Sequence, residues 1–336
     1  MNRTRWTLLL ACGLLVSLLG CGRQEPRTVR VGMALYVQDD TFLTTLVQYA
    51  EQRMRDEEAA RGIKINLTLA DARSNQAAQN EQVDRFLNQN YDVLCVNLVD
   101  RTAAAVIIDK AQAENVPVIF FNREPVREDL NRWARTYYVG TPAEQAGRLQ
   151  GAIVRDAWEQ NPAELDRNGD GILQYVMLEG EPGHQDALLR TEYSIKTLTE
   201  AGIETEKLAN YHADWQRGQA ALRMQQWIAE FGDRIEAVFA NNDDMALGAV
   251  DAYLEAGKTA EKLPFIVGVD ATPPAMEALA AGTLRGTVRN DAAAQAEQMA
   301  ALIGAILDGT DPAESVPLTD GHYVWLEYAP VTPQEP

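Results

Sequence analysis

Cysteine and histidine are both scarce, with three of each in 336 residues. No spacing among them matches a zinc site, and they cannot supply the disulfide framework of a small secreted scaffold. Positive charge is short as well. Thirty Lys and Arg stand against 49 Asp and Glu, for a formal charge of −19. That balance excludes the basic face that nucleic acid requires and argues equally against adsorption to an anionic membrane. The chain has no Gly-rich nucleotide loop, no basic run for phosphate and no single cation–anion pair dedicated to an amino-acid zwitterion. A membrane-spanning stretch is lacking too, because the apolar run near the start is only about 15 residues against the roughly 20 a span needs.

That short run sits in a targeting segment. Arg3 and Arg5 form a positive n-region, Leu8 to Leu19 an apolar h-region, and Leu18-Leu19-Gly20-Cys21 resembles a bacterial lipoprotein cleavage box. Residues 1–20 are therefore expected to be a signal peptide. Cys21 is the expected lipidated first residue, 21–28 a tether, and the location extracytoplasmic on the cell membrane. Cys12 also follows Leu-Leu-Ala, but too few apolar residues precede it to make an h-region. Processing leaves Cys95, within Val93-Leu94-Cys95-Val96, as a small core hydrophobe.

The length suits two domains. From Val29 onward, short Val/Ile/Leu-rich strands alternate with amphipathic helices, and the rhythm restarts after Gly140. This pattern predicts an α/β fold of two doubly wound parallel-sheet lobes, with right-handed crossovers. With no low-complexity linker between the halves, the lobes are expected to join through short hinge crossings. The expected partition is 29–139 plus 292–325 for the N-terminal lobe and 140–291 plus 326–336 for the C-terminal lobe.

Ligands of such sheets sit outside the C-terminal ends of the strands. Those ends carry Asp39-Asp40-Thr41-Phe42, Asn122, Gly183-His184, Asn241-Asn242-Asp243, Asp270 and Asn290, with Trp215 nearby. Asp and Asn also favour caps and turns, and Asp243 reads as the N-cap of the helix that follows. Together they describe a cleft of amides, carboxylates, one Arg and aromatic plates. A sugar ring, with hydroxyls at its rim and apolar C–H faces, suits that mixture. Trp133, Trp158, Trp227 and Trp325 read as core or surface, and His212 and His322 as structural or surface.

The stretch Asp166 to Gln174 (DRNGDGILQ) has oxygen-bearing side chains at alternate positions, Asp166, Asn168 and Asp170. Gly171 is sixth, where a calcium loop must turn, and Gln174 is ninth. The twelfth position, reserved for a bidentate Glu in a helix-loop-helix module, is Met177. The loop alone is one ligand short.

RVGMALYVQDDTF, FFNREP, YYVGT, DRNGDGILQ, EGEPGH, ANNDDMALGAV, GVDA and GTVRND together resemble the periplasmic galactose/glucose-binding proteins of bacterial sugar ABC transporters. The likeness runs from about residue 29 to 328. It implies that Asp40 accepts from the hydroxyl whose configuration separates galactose from glucose, with Phe42 and Trp215 stacking on opposite ring faces. Asn122, His184, Asp186, Arg190, Asn242, Asp270 and Asn290 are implied partners of the remaining hydroxyls. The implied ligands of a structural calcium ion are Asp166, Asn168, Asp170, the Ile172 carbonyl, Gln174 and a distant bidentate Glu236. The implied partners are a monosaccharide and an ABC permease, with a chemoreceptor or sensor as a further one, and the protein is expected to be a monomer. Arg123 stands where the family commonly has Lys and is expected to be peripheral.

Two readings of the cleft stand beside each other. In one the chain is not an enzyme but captures a hexose, or another pyranose such as a pentose, and delivers it for transport. In the other, Asp40 with Asp186 or Asp270 forms a hydrolytic carboxylate pair. Carboxylates ringed by Arg and amides are expected to stay ionised, which disfavours a general acid. The ligand domain of a sugar-responsive repressor shares the fold but would carry a helix-turn-helix in place of an export signal.

Overall fold

Fully apolar tetrapeptides build the two sheet centres. Residues 27–333 are described by the computed structural model. The first run of elements is β1 (Thr28–Leu35), α1 (Thr41–Arg61), β2 (Lys64–Asp71), α2 (Gln76–Asn88), β3 (Val93–Val96), α3 (Ala104–Ala113), β4 (Val118–Phe121), α4 (Arg127–Leu130) and β5 (Thr136–Gly140). The second is α5 (Ala143–Gln160), α6 (Pro162–Leu165), β6 (Ile172–Glu179), α7 (Gln185–Glu200), β7 (Glu204–His212), α8 (Arg217–Phe231), β8 (Ala237–Ala240), α9 (Asp243–Glu255), β9 (Phe265–Val267), α10 (Pro273–Ala280) and β10 (Thr287–Arg289). The chain then returns through α11 (Ala292–Asp308) and β11 (Tyr323–Trp325) before ending on β12 (Ala329–Val331).

β3 (VLCV), β4 (VIFF) and β8 (AVFA) are buried at every residue, as continuous apolar strands in a helix-covered parallel sheet must be. β7 (ETEKLANYH) takes an edge, where its charges discourage further pairing. The first sheet runs β11-β5-β4-β3-β1-β2 and the second β7-β6-β8-β9, with every pairing parallel. Bridges Val267–Gly286 and Asp270–Arg289 set β10 beside β9, and β12 closes on β10 antiparallel. The chain therefore crosses between lobes at 141–142, 290–291 and 326–328. Separate apolar clusters pack against each sheet. Cys95 lies in the first of them, its thiol pushed up to about 12 by burial.

α3 is preceded by a 3₁₀ turn, Arg101–Ala103, capped by Asp100. The one-turn helices α4 and α6 and the three-residue strands β11 and β12 were not expected from sequence. Such short elements carry no readable periodicity and exist because tertiary pairing holds them. Among the described residues no helix is long and apolar enough to cross a membrane. The signal segment and Cys21 lie outside the described residues.

Candidate functional site

The strand-end residues converge because many of them serve as helix caps. Asp40 caps α1, its Oδ1 accepting from Leu43 N at 2.8 Å and its Oδ2 from the Tyr36 hydroxyl at 3.0 Å. His184 caps α7 and Asn242 caps α9, the latter accepting from Met245 N at 3.0 Å. The cap reading and the site reading thus hold for the same residues. Each cap stands at the C-terminal end of a strand, so its side chain borders the space between the lobes.

That space is lined by Asp40, Phe42, Asn122, His184, Asp186, Arg190, Trp215, Asn242 and Asp270, together with Tyr36 and Arg123. Asn290 stands one step behind. Its amide donates to Asp270 Oδ1 at 3.3 Å while its own oxygen accepts from Gln295 at 2.7 Å. Arg123, expected to be peripheral, is instead 5% exposed within the cleft. Its guanidinium lies 3.5 Å from the Tyr36 ring centroid and pairs with Glu181 of the other lobe at 3.0 Å. A cation beside a strand end reads from sequence as solvated, and only the opposing lobe reveals otherwise.

Arg190 is the centre of the arrangement. It is 3% exposed and donates to Asn241 O at 2.8 Å, the Tyr328 hydroxyl at 2.9 Å and Asp186 Oδ2 at 3.2 Å, with Asp270 at 3.9 Å. Burial alone would lower its pKa, but Tyr328, Asp186 and Asp270 outweigh that and raise it, so the guanidinium stays charged. Burial raises the Asp186 and Asp270 carboxyls despite Arg190. Desolvation here exceeds the attraction of one shared cation.

His184 Nδ1 accepts from Asp186 N at 3.1 Å. Burial, with Arg123, Arg190 and Arg101 nearby, pushes its pKa well down. The ring is therefore neutral, and its proton sits on Nε2 as a donor. The His184 and Trp215 rings meet edge to face at 5.1 Å. Trp215 lies over Gly180, where an added Cβ would come within 2.2 Å of the indole. Asn122, Trp215 and Asp270 all have positive φ (61°, 64° and 118°), a conformation held against its intrinsic cost where side chains must be aimed.

Asp243 is not the N-cap of α9. Asn242 takes that place, and Asp243, fully buried, accepts from Thr287 Oγ1 at 2.6 Å and Thr272 N at 2.8 Å. Burial raises its carboxyl to about 7 from an ordinary 3.8. Between those values the folded protein holds a proton that the unfolded chain releases, so this stability is full below about pH 4 and lost as pH rises through about 7. Asp243→Asn is expected to flatten that part of the melting-temperature profile between pH 5 and 7.5. An unchanged slope in a thermal scan series would count against the assignment.

Around residue 170 five side chains draw together. Asp166 accepts from Gly169, Asp170 and Gly171 N; Asp170 Oδ1 accepts from Ile172 N at 2.8 Å. Asp170 Oδ2 meets Asn168 and Gln174 at 2.9 Å each. Glu236, 1% exposed at the start of β8, accepts from Arg167 N at 2.6 Å and Gln174 N at 3.0 Å. Among the described residues no group of three His, Cys, Asp or Glu side chains is arranged to hold a metal. Here two of the five side chains are amides. Three carboxylates and two amides are hard-oxygen side chains of the kind a calcium ion takes.

Two α/β lobes, crossed three times by the chain and closed over a buried polar cleft, define a receptor for a small solute. The chain belongs to the periplasmic binding protein family, whose domain description matches residues 31–311. It is 39% identical over 286 residues to the D-galactose/methyl-galactoside binding periplasmic protein MglB of Haemophilus influenzae, covering 85% of this chain and 83% of that one. It is 28% identical over 313 residues to a xylitol-binding protein of Mycolicibacterium smegmatis, covering 91% and 82%. An ABC transporter solute-binding protein from Bacillus halodurans with bound myo-inositol superposes with a TM-score of 0.73 at 29% identity, covering 93% and 96%. Members of this family are substrate-binding proteins of transporters, so the chain is a binding protein and not an enzyme, with a periplasmic or extracytoplasmic location. The hydrolase reading falls with that membership.

Proposed function

We propose that this protein is an extracytoplasmic lipoprotein, anchored through Cys21, that captures a hexose (D-galactose or D-glucose) and delivers it to an ABC permease. The observation carrying the reading is the pair of unpartnered donors in the cleft. Arg190 Nε and Trp215 Nε1 are both shielded from solvent without a hydrogen-bond partner. Buried donors left unmet are costly. A ring hydroxyl accepts from Arg190 Nε, and hydroxyls donate in turn to Asp40, Asp186 and Asp270, while Phe42 and Trp215 cover the C–H faces.

The relatives' names span galactose, a pentitol and an inositol, a common chemistry of polyhydroxylated small molecules. A hexose is favoured among them by the 39% relative. Contacts from both lobes to one ligand would drive hinge closure. A structural calcium ion held by Asp166, Asn168, Asp170, Ile172 O, Gln174 and Glu236 belongs to the same proposal, as does a further role as ligand carrier for a chemoreceptor or sensor.

Titrating tryptophan fluorescence with galactose, glucose, xylose, xylitol and myo-inositol tests the reading. Saturable quenching or enhancement by a hexose, tighter than by the others, is expected. Silence toward every hexose would overturn it.

A further inference from the structure

Each stretch that crosses between the lobes places one polar side chain against the floor of the cleft. Thr141 lies on the first crossing, Asn290 on the second and Tyr328 on the third, and all three are buried. A crossing needs only to absorb backbone rotation, which small solvated residues do as well. A buried phenol, amide and hydroxyl there call for another reason.

Their hydrogen bonds run in one connected series. Arg190 donates to the Tyr328 hydroxyl at 2.9 Å and lies 3.9 Å from Asp270 Oδ1. Asp270 Oδ1 accepts from Asn290 Nδ2 at 3.3 Å, and Asn290 Oδ1 accepts from Thr141 Oγ1 at 3.4 Å and from Gln295 at 2.7 Å. Those two donors on Oδ1 fix which way the Asn290 amide faces. Tyr328 is fixed as well: its backbone N–H donates to Gln145 Oε1 at 3.0 Å, and its ring sits in an apolar cluster of the second sheet. Burial pushes its phenol up to about 12, so the hydroxyl keeps its hydrogen, with Thr141 as hydrogen-bond partner. The series thus closes on itself, with one member from each crossing and two, Arg190 and Asp270, from the cleft lining. Tyr328 lies outside that lining, so any part it plays in binding acts through Arg190. The lobes around this ring are closed. Thr41 Oγ1 donates across the cleft to Asp244 Oδ2 at 2.7 Å, and Arg123 pairs with Glu181.

Resting on the hexose reading, we propose that Tyr328 is a positioning residue that couples sugar capture at Arg190 to bending of the hinge. Opening rotates the three crossings against one another and breaks the ring, which frees the Arg190 fork. A sugar hydroxyl held by Arg190 stabilises the intact ring and with it the closed form.

Stopped-flow tryptophan fluorescence and small-angle X-ray scattering of the whole processed chain with D-galactose test this. Tyr328→Phe keeps the buried ring and removes the hydroxyl. It is expected to speed galactose release about tenfold, the worth of one hydrogen bond from a charged donor, with the association rate within about twofold of the parent's. The contraction that galactose induces, seen by scattering, is expected to shrink. Thr141→Val is expected to act in the same direction, and Thr141→Ser, which keeps the hydroxyl, to restore parent behaviour; this pair decides the matter should Tyr328→Phe fail to fold. Because both residues act through one ring, the double variant Tyr328→Phe, Thr141→Val is expected to speed release by less than the product of the two single effects. A structural role alone would lower the melting temperature and leave the release rate and contraction of the folded variants at parent values. That result would overturn the coupling and leave the hexose reading standing. A parent chain that neither binds nor contracts with galactose or glucose would overturn both.

Discussion

Replacing Arg190 with Ala is expected to lower the unfolding free energy by about 3–5 kcal/mol and to weaken hexose binding by about a hundredfold or more. Both effects trace to one buried cation. Without it, Asp186 and Asp270 (9% and 8% exposed) lose their positive partner, and Asn241 O and the Tyr328 hydroxyl lose a donor. The two effects can be separated. In the triple variant Arg190→Ala, Asp186→Asn, Asp270→Asn no unpaired charge is buried, so much of the stability should return in a urea melt. Binding should not return, because the donors and acceptors meant for the hydroxyls are still missing. Recovery of binding along with stability would show that Arg190 only holds the fold. Arg190→Lys is expected to fail as well: one ammonium cannot serve Asn241, Tyr328 and Asp186 in the planar fork they define.

Much of this arrangement was legible in the sequence because caps and strand ends coincide in a parallel α/β fold. Asp40, His184 and Asn242 could be located from their places after strands, and the structure adds that each also caps a helix. What escaped depended on the opposite lobe. Tyr36 reads as one more apolar residue at the end of a strand until Arg123 stacks on it, and Arg123 has an acidic partner only because Glu181 comes from across the cleft. Asp243 was misjudged for a related reason: Thr272 and Thr287, which surround its carboxylate, lie 29 and 44 residues away. The direction of the Asp186 and Asp270 shifts was hidden too, since sequence shows the neighbouring charges but not the depth of burial that outweighs them.

Removal of calcium is expected to lower the melting temperature by about 4 °C, the equivalent of a ligand near a hundredfold excess over its dissociation constant in a chain this size. The donors span two distant stretches. Glu236 carries hydrogen bonds from Arg167 and Gln174, so it ties the 166–174 loop to the start of β8 even without a cation. Glu236→Ala should therefore destabilise the chelated protein as well, leaving those amides without an acceptor in a site 1% exposed. Asp170 differs. It is exposed, and its Oδ1 bond from Ile172 N, the main cause of its lowered pKa, survives in an amide. Asp170→Asn should thus cost the chelated protein only the exposed bonds that Oδ2 takes from Asn168 and Gln174, a smaller drop than that of Glu236→Ala, while removing most of the calcium-dependent increment. Equal melting curves for the parent protein with calcium and with chelator would defeat the metal assignment. A full increment in Asp170→Asn would place the ion elsewhere. Because the loop lies at the opposite end of β6 from His184 and Asp186, sugar affinity in the folded protein should change little on chelation, an outcome that would make the proposed ion a staple for the lobe and not a part of the cleft.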